Sequence, residues 1–481
     1  MTALDSFRAR LDGLLAETAA EHGVPGAACG LLLGDETHVS TWGVANASTG
    51  VPVTPTTLFQ IGSISKVYTA TLVMQAVTAG VIALDEPVRA QLQEFMVADP
   101  AATIEITPRH LLAHTSGIEG DHLIDTGWNA DALARYVATL AGLGQIHPTD
   151  QAYSFCNTGY GVIGRLLEVV TGEHFDRVLR RRLTRPLGCR TTLTLPQHAL
   201  LHEVAVGHIQ TRGGLPMRQA RWALTRSNGP MGGIMAPPGD LLAFARMHLA
   251  NGHGPDGVDL LAPAAAEEML QPQVESPVPG ELQAIGWTMR RWGDLSCYGQ
   301  DADTFGQRAV LRVVPERDFA VCVMVNSQAG VAVAQGVLEG VATELLGVPG
   351  AALDLASRFA PAGERAVDEH APLPDAPDLA AYAGVYERLH QRIVVTDATD
   401  GLRLATEPSG VLEALGVRPL VLDTVPTDDP DHDGGTDHDE RLVVEGVDPT
   451  SGLREVAVFT PANGPQNAGV HLSGRLHRRI A

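Results

Sequence analysis

Lysine is all but missing. Of the 34 basic residues in this 481-residue chain, Lys66 is the one lysine and the rest are arginine. Arginine stays protonated in a protein, whereas a desolvated lysine can move from about 10.4 toward neutrality and act as a base. The single position that keeps an amine is therefore a place where proton transfer is the task. Positive charge is scarce as a whole: 56 acidic residues bring the formal net charge to −22. That balance argues against nucleic acid or an anionic membrane as a partner. No apolar run reaches the length of a membrane-spanning helix. Residues 1–28 show no basic segment followed by an apolar core, so a cytoplasmic location is expected. The five cysteines (Cys29, Cys156, Cys189, Cys297 and Cys322) are odd in number and widely spaced, and read as reduced thiols without metal-type pairing.

What is present centres on Phe59-Gln60-Ile61-Gly62-Ser63-Ile64-Ser65-Lys66. Ser63 and Lys66 stand three apart and share a face if a helix begins at the serine. Val67, Ala70, Met74 and Val77 continue the helical spacing and Gly80 closes it. The hydroxyl then sits at a helix N-terminus, where free N–H groups and the dipole favour a developing oxyanion. The amine lies one turn inside, in an apolar wall that keeps it neutral. A serine beside a lysine base is a nucleophile arrangement. An ordinary exposed lysine near a chance serine is the bland alternative, and the solitary lysine weighs against it.

The length suggests two or three domains. Residues 4 to 22 read as an amphipathic helix, and two strands follow, Ala27 to Leu33 and His38 to Gly43, turned at Gly34-Asp35. From the serine to about 190 the pattern is mainly helical (72–79, 108–114, 131–143, 160–171). A glycine-rich turn at 229–233 precedes a helix at 238–251. Strands return at 286–291, 309–314 and 320–325, with a helix at 331–346. Strands at both ends around a helical middle predict an α+β fold, one antiparallel sheet flanked by helices with a helical lobe inserted. Residues 351–378, rich in Ala and Pro, read as a linker between a 1–350 domain and a 379–481 domain. The latter's short alternating runs predict a small antiparallel β-barrel. The acidic stretch Thr427 to Glu440, with two histidines, reads as a solvated loop rather than a metal site.

The first 350 positions resemble the serine β-lactamase and penicillin-binding-protein superfamily, nearest its class C and esterase branch. The likeness rests on Val24-Pro25-Gly26, Thr57 to Lys66, Leu84-Asp85-Glu86-Pro87-Val88, Leu111 to Gly117, Cys156-Asn157-Thr158-Gly159-Tyr160 and Gly232-Gly233. Tyr382 to Tyr386 resembles the lipocalin-like domain often appended to such enzymes. The resemblance implies a transpeptidase-like fold, acyl-enzyme chemistry at Ser63, Lys66 as proton acceptor, and no metal or cofactor. The second family motif, Tyr-x-Asn, aligns with Phe155-Cys156-Asn157. Asn157 is expected to donate to a substrate carbonyl and accept from Lys66, and Phe155 to line the pocket. The third, Lys/His-x-Gly, aligns with Gln300-Asp301-Ala302, so Gln300 offers hydrogen bonds without charge. The backbone N–H groups of Asp303 and Ser63 would form the oxyanion hole. Tyr153 and Tyr298 are the nearest replacements for the missing tyrosine, each read first as a packing residue. His110 and His114 lie in a segment whose family counterpart is structural.

Three functions compete. A cytoplasmic serine hydrolase or acyltransferase would act on a small-molecule or peptide ester, amide or thioester, peptide release and cyclisation being the special case in which an amine replaces water. A catalytically weakened scaffold would bind an acyl or peptide ligand in the inherited pocket. A cell-wall D,D-peptidase or true β-lactamase fits the fold but not the missing signal or the missing cation of the third motif. The intact Ser–Lys pair favours the first.

Overall fold

The computed structural model describes residues 3–209, 217–219, 222, 224–278, 280–350, 382–389, 391–398, 401–409, 420–427, 442–447, 454–460, 469–472 and 475–479. The expected linker and the acidic stretch beyond Thr427 lie outside them. Helix α1 (Ala3–Glu21) leads into strands β1 (Gly26–Leu33), β2 (Glu36–Asn46) and β3 (Val51–Pro52). After the central helices come β4 (Val274–Glu275), β5 (Leu282–Gln283), β6 (Thr288–Trp292), β7 (Leu295–Thr304), β8 (Gln307–Val314) and β9 (Phe319–Val325). These nine form one sheet in the order β3-β2-β1-β9-β8-β7-β6-β5-β4. Strands β1 and β9 meet antiparallel from Ala27↔Val325 to Leu33↔Phe319, so the sheet is assembled from both ends of the region as expected. Strand β7 escapes the sequence pattern because Gly299 and the polar run Gln300-Asp301 break its apolar alternation.

Both faces of the sheet are covered. On one, Leu4, Leu11 and Leu15 of α1 share a core with Val333, Val337 and Val341 of the last helix of this region (Gly330–Val341). The other face carries helix α2 (Ser65–Thr78), α3 (Asn157–Thr171) and α4 (Pro238–Leu249) over a large core that includes Phe59, Tyr68, Tyr160, Phe244 and Trp287. Helix α2 is buried from Ser65 through Met74, which makes it the axis of that layer. Its threonine hydroxyls bond back along the helix: Thr69 donates to the Ser65 carbonyl and Thr71 to that of Val67.

In the C-terminal part, eight strands form a separate curled antiparallel sheet. They are β10 (Gly384–Arg388), β11 (Gln391–Ala398), β12 (Gly401–Pro408), β13 (Val421–Thr427), β14 (Leu442–Val447), β15 (Arg454–Thr460), β16 (Gly469–Leu472) and β17 (Arg475–Arg479). The first and last also pair, at Tyr386↔Arg479 and Glu387↔Arg478. Tyr386, Ile393, Leu404, Leu422, Val444 and Phe459 fill its inner face. Among the described residues no helix is long and apolar enough to cross a membrane, and no group of three or more His, Cys, Asp or Glu is placed to hold a metal ion.

Candidate active site

Ser63 does not begin α2 as the spacing suggested. It sits in a 3₁₀ turn, Gly62–Ile64, that feeds directly into the helix at Ser65. Gly62 makes the turn with φ +47°, and a Cβ there would lie 3.0 Å from both Ala302 Cβ and Thr304 Cγ2. The serine turn therefore rides on β7, and only glycine allows both the left-handed backbone and the close approach. The serine remains half-buried at the helix mouth.

Lys66, fully buried, lies one turn further in. Its Nζ is 2.9 Å from Ser63 Oγ and donates to the Met231 carbonyl oxygen at 2.7 Å. The Phe155 ring centroid is 4.7 Å from Nζ and that of Tyr160 5.6 Å. Burial lowers the Lys66 amine to about 7; Arg475 pushes the same way, and Asp121 and Cys156 oppose it. Near neutral pH much of the amine is unprotonated, and it lies within hydrogen-bond distance of the hydroxyl.

The Met231 carbonyl is fixed from several sides. Its one-turn helix, Gly229–Gly232, is wedged between α2 and α3: Thr69 Oγ1 donates to the Pro230 carbonyl at 2.7 Å, and Gly164 gives Pro230 the room it occupies. Further on, Ile234 N–H donates to Ser65 Oγ, and Phe59 and Gln60 pair with Ala236 and Met235.

Asn157 starts α3, but its amide is turned elsewhere than expected. Instead of taking a hydrogen bond from Lys66, its Nδ2 donates to Asp121 Oδ1 at 2.7 Å. A carboxylate only accepts, so this bond settles which end of the amide is nitrogen. Asp121 is buried and also pairs with Arg388 of β10 and, at 2.7 Å, with Arg475 Nε of β17. Burial alone would raise the Asp121 carboxyl, but the two guanidiniums and the bonds from Arg475 and Asn157 hold it below the usual carboxylate range. The Arg475 guanidinium also lies over the Phe155 ring, 5.0 Å from its centroid. One ring thus contacts both the lysine amine and an arginine of the C-terminal sheet.

The remaining candidates fall as follows. Gln300 is buried and held at both ends of its amide, with Nε2 donating to the Gly286 carbonyl and Oε1 accepting from Asp301 N–H. Asp303 is half exposed and pairs with Arg308 at 2.9 Å. Tyr298 packs edge-on against Trp287 in the core. Tyr153 lies edge-on to His114 and near enough to Arg475 to interact with it electrostatically. His114 accepts from Cys156 N–H through Nδ1, and burial, Lys66 and Arg475 keep it neutral. His110 closes the N-terminus of its own short helix by accepting from Thr107 N–H.

A hydroxyl at a helix mouth beside a neutral amine can be acylated. The beta-lactamase family model matches residues 11–342. The chain belongs to the beta-lactamase family. Membership supports a serine-hydrolase or acyltransferase mechanism. Penicillin-binding protein 4 of Amycolatopsis lactamdurans is 40% identical over 373 residues, 76% of this chain and 94% of the relative. A D-aminopeptidase of Gluconobacter oxydans is 27% identical over 212 residues, 42% of this chain and 39% of that one. Among solved structures, that of SurE with D-Leu superposes with a TM-score of 0.73 at 25% identity, over 99% of this chain and all of that one. Met231, Asp121, Arg388 and Arg475 were not foreseen. A backbone carbonyl carries no residue-type signal, and the two arginines lie more than 260 residues from the aspartate they pair with.

Proposed function

We propose that this beta-lactamase-family protein is a serine acyltransferase or hydrolase that works through an acyl-enzyme on Ser63, with Lys66 as general base. One observation carries the reading: the sole amine side chain is buried, lowered to about 7, and 2.9 Å from the hydroxyl. As Ser63 Oγ attacks the acyl carbonyl, its proton passes to Lys66 Nζ. The negative oxygen is met by the Ser63 N–H at the helix mouth and by the Asp303 N–H; the seating of the Gly62 turn on Ala302 and Thr304 supports that second donor. Lys66 then returns the proton to the leaving group. Asn157, aimed by Asp121, borders the acyl chain, with Phe155 and Gln300 as further walls of the pocket.

Phe155 stands where the family tyrosine would, so Lys66 alone handles the protons of both half-reactions. A missing positioned acid or base costs about 10²–10⁴ in rate. That favours resolution by an amine, a better nucleophile than water, and hence transfer or cyclisation of a peptide. The D-amino acid in SurE with D-Leu and the D-aminopeptidase relative support an acyl residue of D configuration. We take residues 1–350 as the hydrolase domain and 379–481 as a lipocalin-like appendage in a cytoplasmic enzyme.

A second reading, a scaffold that only binds acyl ligands, is favoured by Phe155 and by the tethered Gln300. Incubation with a fluorophosphonate and with a p-nitrophenyl ester, read by intact mass, separates the two. A covalent adduct that Ser63→Ala abolishes is expected. No adduct at any pH between 6 and 9 would leave only the scaffold.

A further inference from the structure

Hydrogen bonds and ion pairs from the C-terminal sheet reach two loops of the Ser–Lys site, and Arg475 also interacts electrostatically with Asp303 of β7. Leu389 N–H donates to Glu119 Oε1 at 2.7 Å, and Leu476 N–H to Ser154 Oγ at 3.3 Å. Arg388 and Arg475, each adjacent to one of those residues, converge on Asp121. The backbone of Arg475 is itself braced by His477, whose Nδ1–H donates to the Arg475 carbonyl at 3.0 Å. Both loops belong to the site. Residues 119–121 end in the carboxylate that holds Asn157, and residues 154–157 carry Phe155 and Asn157. A buried carboxylate facing two guanidiniums and an amide has no reason to exist in a domain that stands alone, because unpaired it costs several kcal/mol.

We propose that Asp121 is a positioning residue through which the C-terminal sheet completes the Ser63–Lys66 site: its carboxylate aims the Asn157 amide and seats Arg475 against Phe155. The inference rests on the acyl-enzyme reading but is measured separately from it. Two consequences follow from the geometry. The electrostatic environment of Lys66 includes a cation and an anion that act in opposite directions, Arg475 and Asp121; other titratable neighbours are Cys156, the neutral His114 and Tyr160, whose hydroxyl donates to the Leu112 carbonyl. Removing either charge unbalances the site in opposite directions. And Asn157, without its acceptor, is free to turn.

The chain's single lysine makes the test direct. Full-length protein labelled with ¹³Cε-lysine gives one lysine resonance, whose titration is that of Lys66. Arg475→Met is expected to raise its midpoint by about half a pH unit or more, since a nearby cation is lost. Asp121→Asn combined with Arg388→Met removes the buried carboxylate together with the more deeply buried of its two guanidiniums; Arg475 then acts on Lys66 without Asp121 to offset it, which is expected to lower the midpoint by a similar amount. At pH 9, where the amine is neutral in every variant, that double variant is also expected to acylate at least tenfold more slowly, because Asn157 has lost its anchor. Titrations that coincide with the wild type, or move in the same direction, overturn the proposal, as does an unchanged acylation rate at pH 9. Should the double variant not fold, Arg475→Met alone decides through the lysine titration, since Asp121 keeps Arg388 and Asn157. Absence of any wild-type adduct would sink the acyl-enzyme reading while the lysine titration still tests the coupling.

Discussion

Replacing Lys66 by methionine is expected to abolish acylation and to stabilise the protein at neutral pH. The amine is fully buried and lowered from 10.5 to about 7. In the unfolded chain it is protonated well above pH 7, whereas in the folded protein it is not, so folding releases protons between about pH 7 and 10.5. Wild-type stability therefore rises with pH across that window and is lowest, as far as Lys66 is concerned, below about 7. The linkage relation puts the cost of burying the amine at about 4 kcal/mol at pH 7 and about 1.4 kcal/mol at pH 9.5. Methionine fills similar space without the proton. Against this, the Met231 carbonyl loses its donor, at a cost of about 1–3 kcal/mol. The variant is then expected to be more stable by about 1–3 kcal/mol at pH 7, an advantage that falls by about 3 kcal/mol at pH 9.5. Urea unfolding followed by tryptophan fluorescence measures this. All five tryptophans (Trp42, Trp128, Trp222, Trp287 and Trp292) precede residue 300, so the signal reports on the catalytic region. A stability difference between the two proteins that does not change with pH would show that the lysine is not held neutral, and the proton-transfer argument would fall with it.

Other consequences are as open to measurement. The rate of Ser63 acylation is expected to fall tenfold per pH unit below a midpoint near 7, since only the neutral amine accepts a proton; a flat profile from pH 5 to 8 would contradict this. Phe155→Tyr places a hydroxyl on the ring that already faces Nζ and is expected to raise ester turnover at least tenfold with little change in acylation, so steady-state rates equal to the wild type would remove the tyrosine from the explanation. Gly164→Ala puts a Cβ 2.1 Å from Pro230 Cγ, which cannot be accommodated without moving the Met231 turn; it is expected to destabilise by about 1–3 kcal/mol and to slow acylation, as unfolding and burst kinetics together would show.

The parts of this site that could be read in the sequence are those whose signal is local. Ser63 and Lys66 are three residues apart, and their contact follows from helix geometry once the segment is helical. The two-ended sheet was likewise legible, because apolar runs such as Phe319–Val325 are short, β-rich and flanked by turns. Strand β7 was not, and neither was the partner of Asn157. Local pattern says that an amide at the start of α3 lies near the serine; it does not say which neighbour takes its hydrogens. That choice is made by Asp121, in a loop of no recognisable period, and by arginines that arrive from the other end of the chain.

These long-range pairs bear on the neutral side chain at Gln300. The Gln300 amide is bound to the Gly286 carbonyl, and Gly286 packs against Val67 and Ala70 of the helix that carries Lys66. A lysine or histidine there would bring a positive charge close to the amine. Arg475 already supplies one, and burial has taken the amine to about 7. Each further nearby cation lowers an amine by about a unit or more. Two of them would leave Lys66 a base too weak to hold the serine proton, and would also raise the cost of the whole assembly. Neutral Gln300 and cationic Arg475 are in that sense one arrangement, with the positive charge carried by the C-terminal sheet, where Asp121 offsets it. Gln300→His alone is expected to depress acylation below pH 8, because a histidine that becomes protonated there adds to Arg475. Gln300→His together with Arg475→Met is expected to recover it, and a double variant that acylates no better than the single one would show that the two positions are independent.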